Sequence, residues 1–239
     1  MSSLAKNLFR DLTVSCSDCG LGDLCIPHGL AQQDIDRLDD SVSHTKLLHV
    51  GDILYHQNSA FKSLYALKSG SVKIITKNEE SGDDVMGVYL PGEIIGFDGV
   101  ATDKYQCSIH ALETSNICEI DLDSLQKNIP NIFKQLLKHA SKSINQSNNT
   151  NAVSKASAER RIVSLLLDLS DRYRLRGYFY TEFNLFLSRS EIGSLLNLSP
   201  ETVSRGIRKL ERDKLITLQN KRRIKINDLD SLKKLVTPI

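Results

Sequence analysis

The strongest constraint in this 239-residue chain is a change of hydrophobic period at Pro130. Before it, apolar and β-branched residues come in short runs at 47–50, 64–67, 72–76, 85–90, 108–112 and 117–120, punctuated by Gly51, Gly70, Gly82, Gly92, Gly96 and Gly99. Glycine takes the positive φ of a tight turn without a Cβ clash, so this spacing predicts an antiparallel sandwich or jelly roll. After Pro130 the apolar residues Ile132, Phe133, Leu136, Leu137, Ala140 and Ile144 recur at three- and four-residue steps, which predicts a helix. Its continuation at 146–151, Gln-Ser-Asn-Asn-Thr-Asn, is open between a linker, a frayed end and an unusually polar helix, because these side chains compete for backbone hydrogen bonds. A second helix is expected over 158–176, with Ile162, Leu165, Leu166 and Leu169 on one face and Gly177 placed to end it.

Charge divides at the same place. The chain has 31 Lys and Arg against 29 Asp and Glu and is 40% hydrophobic, a balance that suits a folded protein and not a disordered polyelectrolyte. From Lys155 onward there are 18 basic and 10 acidic residues, or +8, leaving 13 against 19, or −6, for residues 1–154. A near-neutral total hides an acidic front and a basic back, as expected when only the back meets a polyanion such as nucleic acid. No stretch approaches the ~20 apolar residues of a membrane span, and the start carries no secretory pattern, so a soluble cytoplasmic protein is expected.

The basic part has its own signature. Ser188 and Glu191 form a capping box ahead of Ile192, Leu195 and Leu196, and Ser199-Pro200 restarts a helix running to about Arg212. Apolar 215–218, a turn at 220–222 and the alternation Ile224-Lys225-Ile226 complete a winged helix-turn-helix. On the second helix Glu201, Ser204, Arg205 and Arg208 share a face opposite Val203, Ile207 and Leu210. Arginine can bond O6 and N7 of guanine together, glutamate can accept from cytosine N4, and serine can bond base or phosphate. Lys209, Lys221, Arg222 and Arg223 suit phosphate contacts. No phosphate loop, HExxH, GxSxG or paired Cys-His constellation points to an enzyme.

Three of five cysteines, Cys16, Cys19 and Cys25, have the spacing C-x2-C-x5-C. A folded-back loop can turn three such thiolates toward one point, with Cys107 or Cys118 as a fourth. Four thiolates suit a tetrahedral zinc or a 4Fe-4S cluster, and the spacing does not choose between them.

Taken together, Cys16-x2-Cys19-x5-Cys25-Ile-Pro, Pro91-Gly92-Glu93 before Gly96-Phe97-Asp98, Ala111-Leu-Glu-Thr-Ser-x-Ile-Cys118-Glu-Ile120 and Glu201-Thr-Val-Ser204-Arg205 resemble the FNR (fumarate and nitrate reduction) branch of the cyclic AMP receptor protein superfamily, over nearly the full length. The resemblance implies an α+β chain: a cysteine-rich segment (1–30), a β jelly roll of cyclic-nucleotide-binding type (31–129), a long dimerisation helix (130–156) and a winged helix-turn-helix (157–239). It implies a 4Fe-4S cluster on Cys16, Cys19, Cys25 and Cys118, with Cys107 a bystander, and a homodimer that binds palindromic TTGAT-type double-stranded DNA without oxygen. Ile132, Leu136, Leu137, Ala140 and Ile144 would form the dimer seam, and the acidic loop at 79–84 resembles one the family turns toward RNA polymerase. The polar 146–151 stretch and the glycine-rich cysteine loop depart from the family pattern. A cyclic-nucleotide sensor on the same fold lacks an arginine between Glu93 and Glu113 for the ligand phosphate. A haem sensor would draw on His28, His49, His56 or His110, and a zinc or thiol redox sensor is the remaining alternative.

Overall fold

The short apolar runs pair into two facing sheets. The computed structural model describes residues 15–78, 82–129, 132–152, 156–220 and 222–236. One sheet has the order β1 (Val42–Leu48), β8 (Ser115–Ile120), β3 (Leu64–Ser69), β6 (Ile94–Ile95), and the other β2 (Ile53–Tyr55), β7 (Ser108–Ala111), β4 (Val72–Asn78), β5 (Gly82–Tyr89). The pairings are antiparallel, with Ala66 opposite Cys118 and Val72 opposite Ala111. Leu67, Val72, Ile95, Ile109 and Ile117 from both sheets are buried between them. Helix α1 (Gln32–Leu38), the two- and three-residue strands β6 and β2, and α2 (Leu122–Asn128) were not foreseen. The first run, expected at 47–50, is a strand that begins at Val42 and stops at Leu48.

Helix α3 spans Phe133–Ala152, so residues 146–151 are helical. The expected seam does not form a single face. Ile132 and Leu136 are buried toward the sandwich with Gln135 and His139, whereas Phe133, Leu137 and Ile144 are 51%, 68% and 60% exposed. Positions i, i+3, i+4 and i+7 fall on one side of a helix, and 133, 137 and 144 belong to the other. The apolar residues of α3 therefore serve two surfaces.

Helix α4 (Ala158–Leu175) begins at a Ser157 cap whose side chain accepts from Arg160 N. It is followed by β9 (Glu182–Asn184), α5 (Arg189–Leu196), α6 (Pro200–Arg212), β10 (Ile216–Gln219), β11 (Arg223–Ile226) and α7 (Leu229–Val236), the strands in the order β10-β11-β9. The Ser188–Glu191 capping box forms in both directions, and Ser199 accepts from Thr202 N. Ile162, Val163, Leu166, Ile192, Val203, Ile207, Leu210 and Ile224 make the core of this unit. Helix α6 lies tight on α4: a Cβ on Gly206 would stand 2.4 Å from Ile162 Cδ1.

The two units touch directly. Val85 and Leu90 of the sandwich join the apolar core of the helical unit, Val85 N donates to Ser194 Oγ at 2.8 Å, and Lys73 on β4 pairs with Glu191 of the capping box. Among the described residues no helix is long and apolar enough to cross a membrane.

Candidate functional site

The cysteine segment folds as a series of tight turns, with Gly22 N donating to Cys19 O at 3.0 Å and Cys25 N to Leu21 O at 2.9 Å. Its start is held by Cys16 N donating to Asp39 Oδ1 at 2.6 Å. Cys16, Cys19 and Cys25 line one cavity of about 40 Å³ with Cys118 from β8 and the apolar side chains of Leu21, Leu38 and Ile120. All four are free thiols. Among the described residues no three His, Cys, Asp or Glu side chains stand close enough to hold a single metal ion. Burial pushes the thiols of Cys16 and Cys118 up and raises that of Cys25 to about 12, with the Asp39 carboxylate adding to the effect at Cys16. Cys16, Cys25 and Cys118 are therefore protonated at neutral pH, and a metal or cluster binding them would displace protons.

Cys107 is elsewhere. It stands beside the sandwich interior, 8% exposed, its Sγ 3.3 Å from Asp98 Oδ2, and burial with that carboxylate raises its pKa. It packs as a small apolar group.

Two polar side chains of α3 reach the cysteine segment, neither foreseen. Gln135 Nε2 donates to Gly29 O at 3.2 Å, and the buried His139 has the Cys25 backbone among the groups that act on its ring. Burial lowers the His139 pKa, the neighbouring Lys142 adds to this, and the Cys25 carbonyl opposes both. The sequence carried a signal: Gln135 and His139 share the helical face of Ile132 and Leu136, where a polar residue needs a partner.

The interior of the sandwich is filled. Tyr55 and Tyr105 stack with ring centroids 3.7 Å apart, Phe61 and Tyr65 tilt against Tyr105, and the Tyr105 hydroxyl donates to Ser63 O at 2.8 Å. Two arginines of α4, Arg172 and Arg176, reach this half of the molecule, and Glu93 takes both. Of the histidines weighed as haem ligands, His28, His49 and His56 are exposed and His110 is half-buried on β7; none lines the cysteine cavity.

On α6, Glu201, Arg205 and Arg208 are exposed and Ser204 is half-buried, opposite the buried Val203, Ile207 and Leu210. Ser204 Oγ donates to Pro200 O at 2.9 Å and keeps its acceptor capacity. Arg205 Nη2 leans on Thr202 Oγ1 at 3.1 Å. Hydrogen bonds from its own backbone and from Ser199 lower the Glu201 pKa, which keeps that carboxylate an acceptor. Two of the expected phosphate contacts have partners within the chain: Lys209 pairs with Glu159 at 2.6 Å and Arg223 with Glu182 at 2.7 Å. Arg222 is exposed at the wing, and Lys221 lies outside the described residues, as do 79–81 of the acidic loop.

A β sandwich joined by a long helix to a winged helix-turn-helix defines a class of transcription regulator. Residues 45–129 match the cyclic nucleotide-binding domain family, and 160–235 match the Crp-like helix-turn-helix domain family. The chain is 36% identical over 221 residues to the transcriptional activator protein Anr of Pseudomonas aeruginosa, covering 91% of this chain and 89% of that one. It is 33% identical over 212 residues to the fumarate and nitrate reduction regulatory protein of Yersinia pestis, covering 87% and 85%. Its fold is that of FixK2 from Bradyrhizobium japonicum, with a TM-score of 0.73 at 17% identity over 83% of this chain and 98% of that one. The chain belongs to the FNR-type branch of the CRP family of transcription regulators. Its relatives are regulators and not enzymes.

Proposed function

We propose that this regulator responds to oxygen, carrying a 4Fe-4S cluster on Cys16, Cys19, Cys25 and Cys118 and binding palindromic DNA as a homodimer when oxygen is absent. The observation that supports this above all is the shared cavity, which joins the three neighbouring cysteines Cys16, Cys19 and Cys25 with the distant Cys118, while the fifth stands in the sandwich core. When bound, a 4Fe-4S cluster supplies an oxygen-labile centre held by four thiolates.

The chain's own residues couple that centre to DNA. Gln135 and His139 tie the cysteine segment to α3, so ordering the segment orders the helix. Phe133, Leu137 and Ile144, with Ala140 between, repeat at four- and three-residue steps on the opposite face and present a seam for a second copy. In sequence the seam positions beyond Ile144 fall to Ser147, Asn148 and Asn151, whose side chains lie outside those described. On α6, Arg205 and Glu201 suit the G·C pair of a TTGAT half-site, and RNA polymerase is the downstream partner.

The test is anaerobic reconstitution of the full chain with iron and sulfide, followed by absorbance, iron and sulfide content and binding to a TTGAT duplex before and after exposure to air. Visible absorbance and tight binding that both disappear in air are expected; a colourless zinc protein, or equal binding in air, defeats the reading. In the reconstituted protein Arg205→Ala should weaken specific binding by about 1–3 kcal/mol and flatten discrimination at one base pair. Arg222→Ala should weaken all sequences alike and reduce the salt slope. Equal loss of discrimination in both would remove this division of roles.

A further inference from the structure

The turn Pro91-Gly92-Glu93 touches the cysteine loop on one side and the DNA-binding unit on the other. On the first side, Gly92 is buried at φ +87, and a Cβ there would stand 2.7 Å from the Cβ of Leu24, the residue before Cys25. The approach leaves no room for a side chain, so the position of Leu24 and that of the turn are fixed together. On the second side, Glu93 Oε2 accepts from Arg172 Nη2 at 2.7 Å and Glu93 Oε1 from Arg176 Nη2 at 2.7 Å. Arg172 also donates to Val88 O at 2.7 Å and Arg176 Nε to Pro91 O at 2.6 Å. The three side chains are 12%, 4% and 16% exposed for Arg172, Arg176 and Glu93.

The turn itself is anchored. Gly92 N donates to Leu67 O at 2.7 Å and Leu67 N to Glu93 O at 3.1 Å. Leu67 lines the cysteine cavity and follows Ala66, the register partner of Cys118. A displacement of the cysteine loop therefore meets a turn that cannot yield toward β3. Beyond the turn, the pair of arginines belongs to α4, on which α6 is seated at Gly206. With Asp168 at 3.2 Å from Arg172, two carboxylates face two guanidiniums, and removing Glu93 leaves buried positive charge unbalanced.

We propose that the Pro91-Gly92-Glu93 turn is a relay through which the arrangement of the cysteine loop sets the seating of the DNA-binding unit on its own sandwich. The relay acts within one protomer and is separate from the α3 seam. It rests on the cluster reading only for its input, since the contacts it is argued from are those of the chain's own residues. Glu93 is a positioning residue that acts through α4.

The test is a double-mutant cycle on the full-length reduced chain, read by hydrogen exchange of the amides at 168–176. Leu24→Gly, which removes the Cβ that meets the turn, should speed exchange there by about fivefold or more in the wild-type background and produce no further change in Glu93→Gln, where the connection is already cut. Exchange at 168–176 that ignores Leu24→Gly, or that responds equally in both backgrounds, overturns the relay. Should Glu93→Gln fail to fold, Arg176→Lys keeps the charge and loses the forked donor, and the same two outcomes apply to it. Iron and sulfide content after reconstitution of the wild type judges the cluster reading separately: a chain that takes up neither refutes that reading and leaves the exchange result to decide the relay.

Discussion

Cys107, the residue before β7, and Cys118 on β8 belong to opposite sides of one sandwich, and burial raises the pKa of both thiols. Their surroundings separate them. Cys107 is walled in by Tyr55 and Tyr89 in an interior that stacked tyrosines already fill, and its sulfur has the Asp98 carboxylate as partner. Cys118 looks outward from β8 into a space bounded by three more sulfurs. Burial alone does not distinguish the two thiols; what converges on each does. The same contrast holds for the whole domain: its inside is closed and inert, while its outer face carries the cysteine segment and the seat of the DNA-binding unit.

The sharpest way to break this comparison is to remove each sulfur. Cys118→Ala should abolish iron-sulfur absorbance after anaerobic reconstitution, whereas Cys107→Ala should keep iron and sulfide near the wild-type content and lower stability by about 1 kcal/mol in urea unfolding. The reverse pattern would exchange the roles of the two. Next in size, Tyr105→Ala should reduce stability by about 3–5 kcal/mol, since it empties the stack and strands the Ser63 carbonyl. Cluster uptake should survive in the folded fraction, and a proportionate loss of iron would show that inside and outside are not independent.

The smallest effect concerns the outer face. Burial works against the Glu191 carboxylate, but the Lys73 ammonium and Ser188 together hold its pKa below the usual carboxylate range. A folded pKa below the unfolded one stabilises above the ordinary range and loses that contribution as pH falls through the folded value. Acid should accordingly weaken the contact between sandwich and helical unit, and Glu191→Gln should flatten that part of a stability profile recorded between pH 6 and pH 3. An unchanged profile in Glu191→Gln would place the acid sensitivity elsewhere.

What could be read in the sequence depended on range. The capping box at Ser188, the Ser199-Pro200 restart and the alternation around Ile224 are local, and each appears where it was expected. The strands of two or three residues at 53–55, 94–95 and 182–184 are too short to show a period, and pairing with neighbours defines them. On α3 the apolar residues were visible but not their division between two faces, because an i, i+4 pattern does not say which side meets the sandwich. The choice of Cys118 over Cys107 came from family resemblance, since spacing left it open. Arg172 and Arg176, four residues apart on α4, were legible as a shared face, but nothing nearby in the chain announces Glu93 as their partner.

Gly206 turns the packing of α6 into a question of leverage. With only hydrogen on Gly206, α6 sits close on α4 over the end of Ile162. Ile162 and Arg172 are about 15 Å apart along α4 at 1.5 Å per residue, so a tilt of about 4° pivoting at the arginine end carries the α6 seat through about 1 Å. A hydrogen bond to a base edge survives a stretch of only about 0.5 Å. For the base contacts proposed on α6 the angular tolerance would therefore be a few degrees, with the Glu93 carboxylate at the pivot.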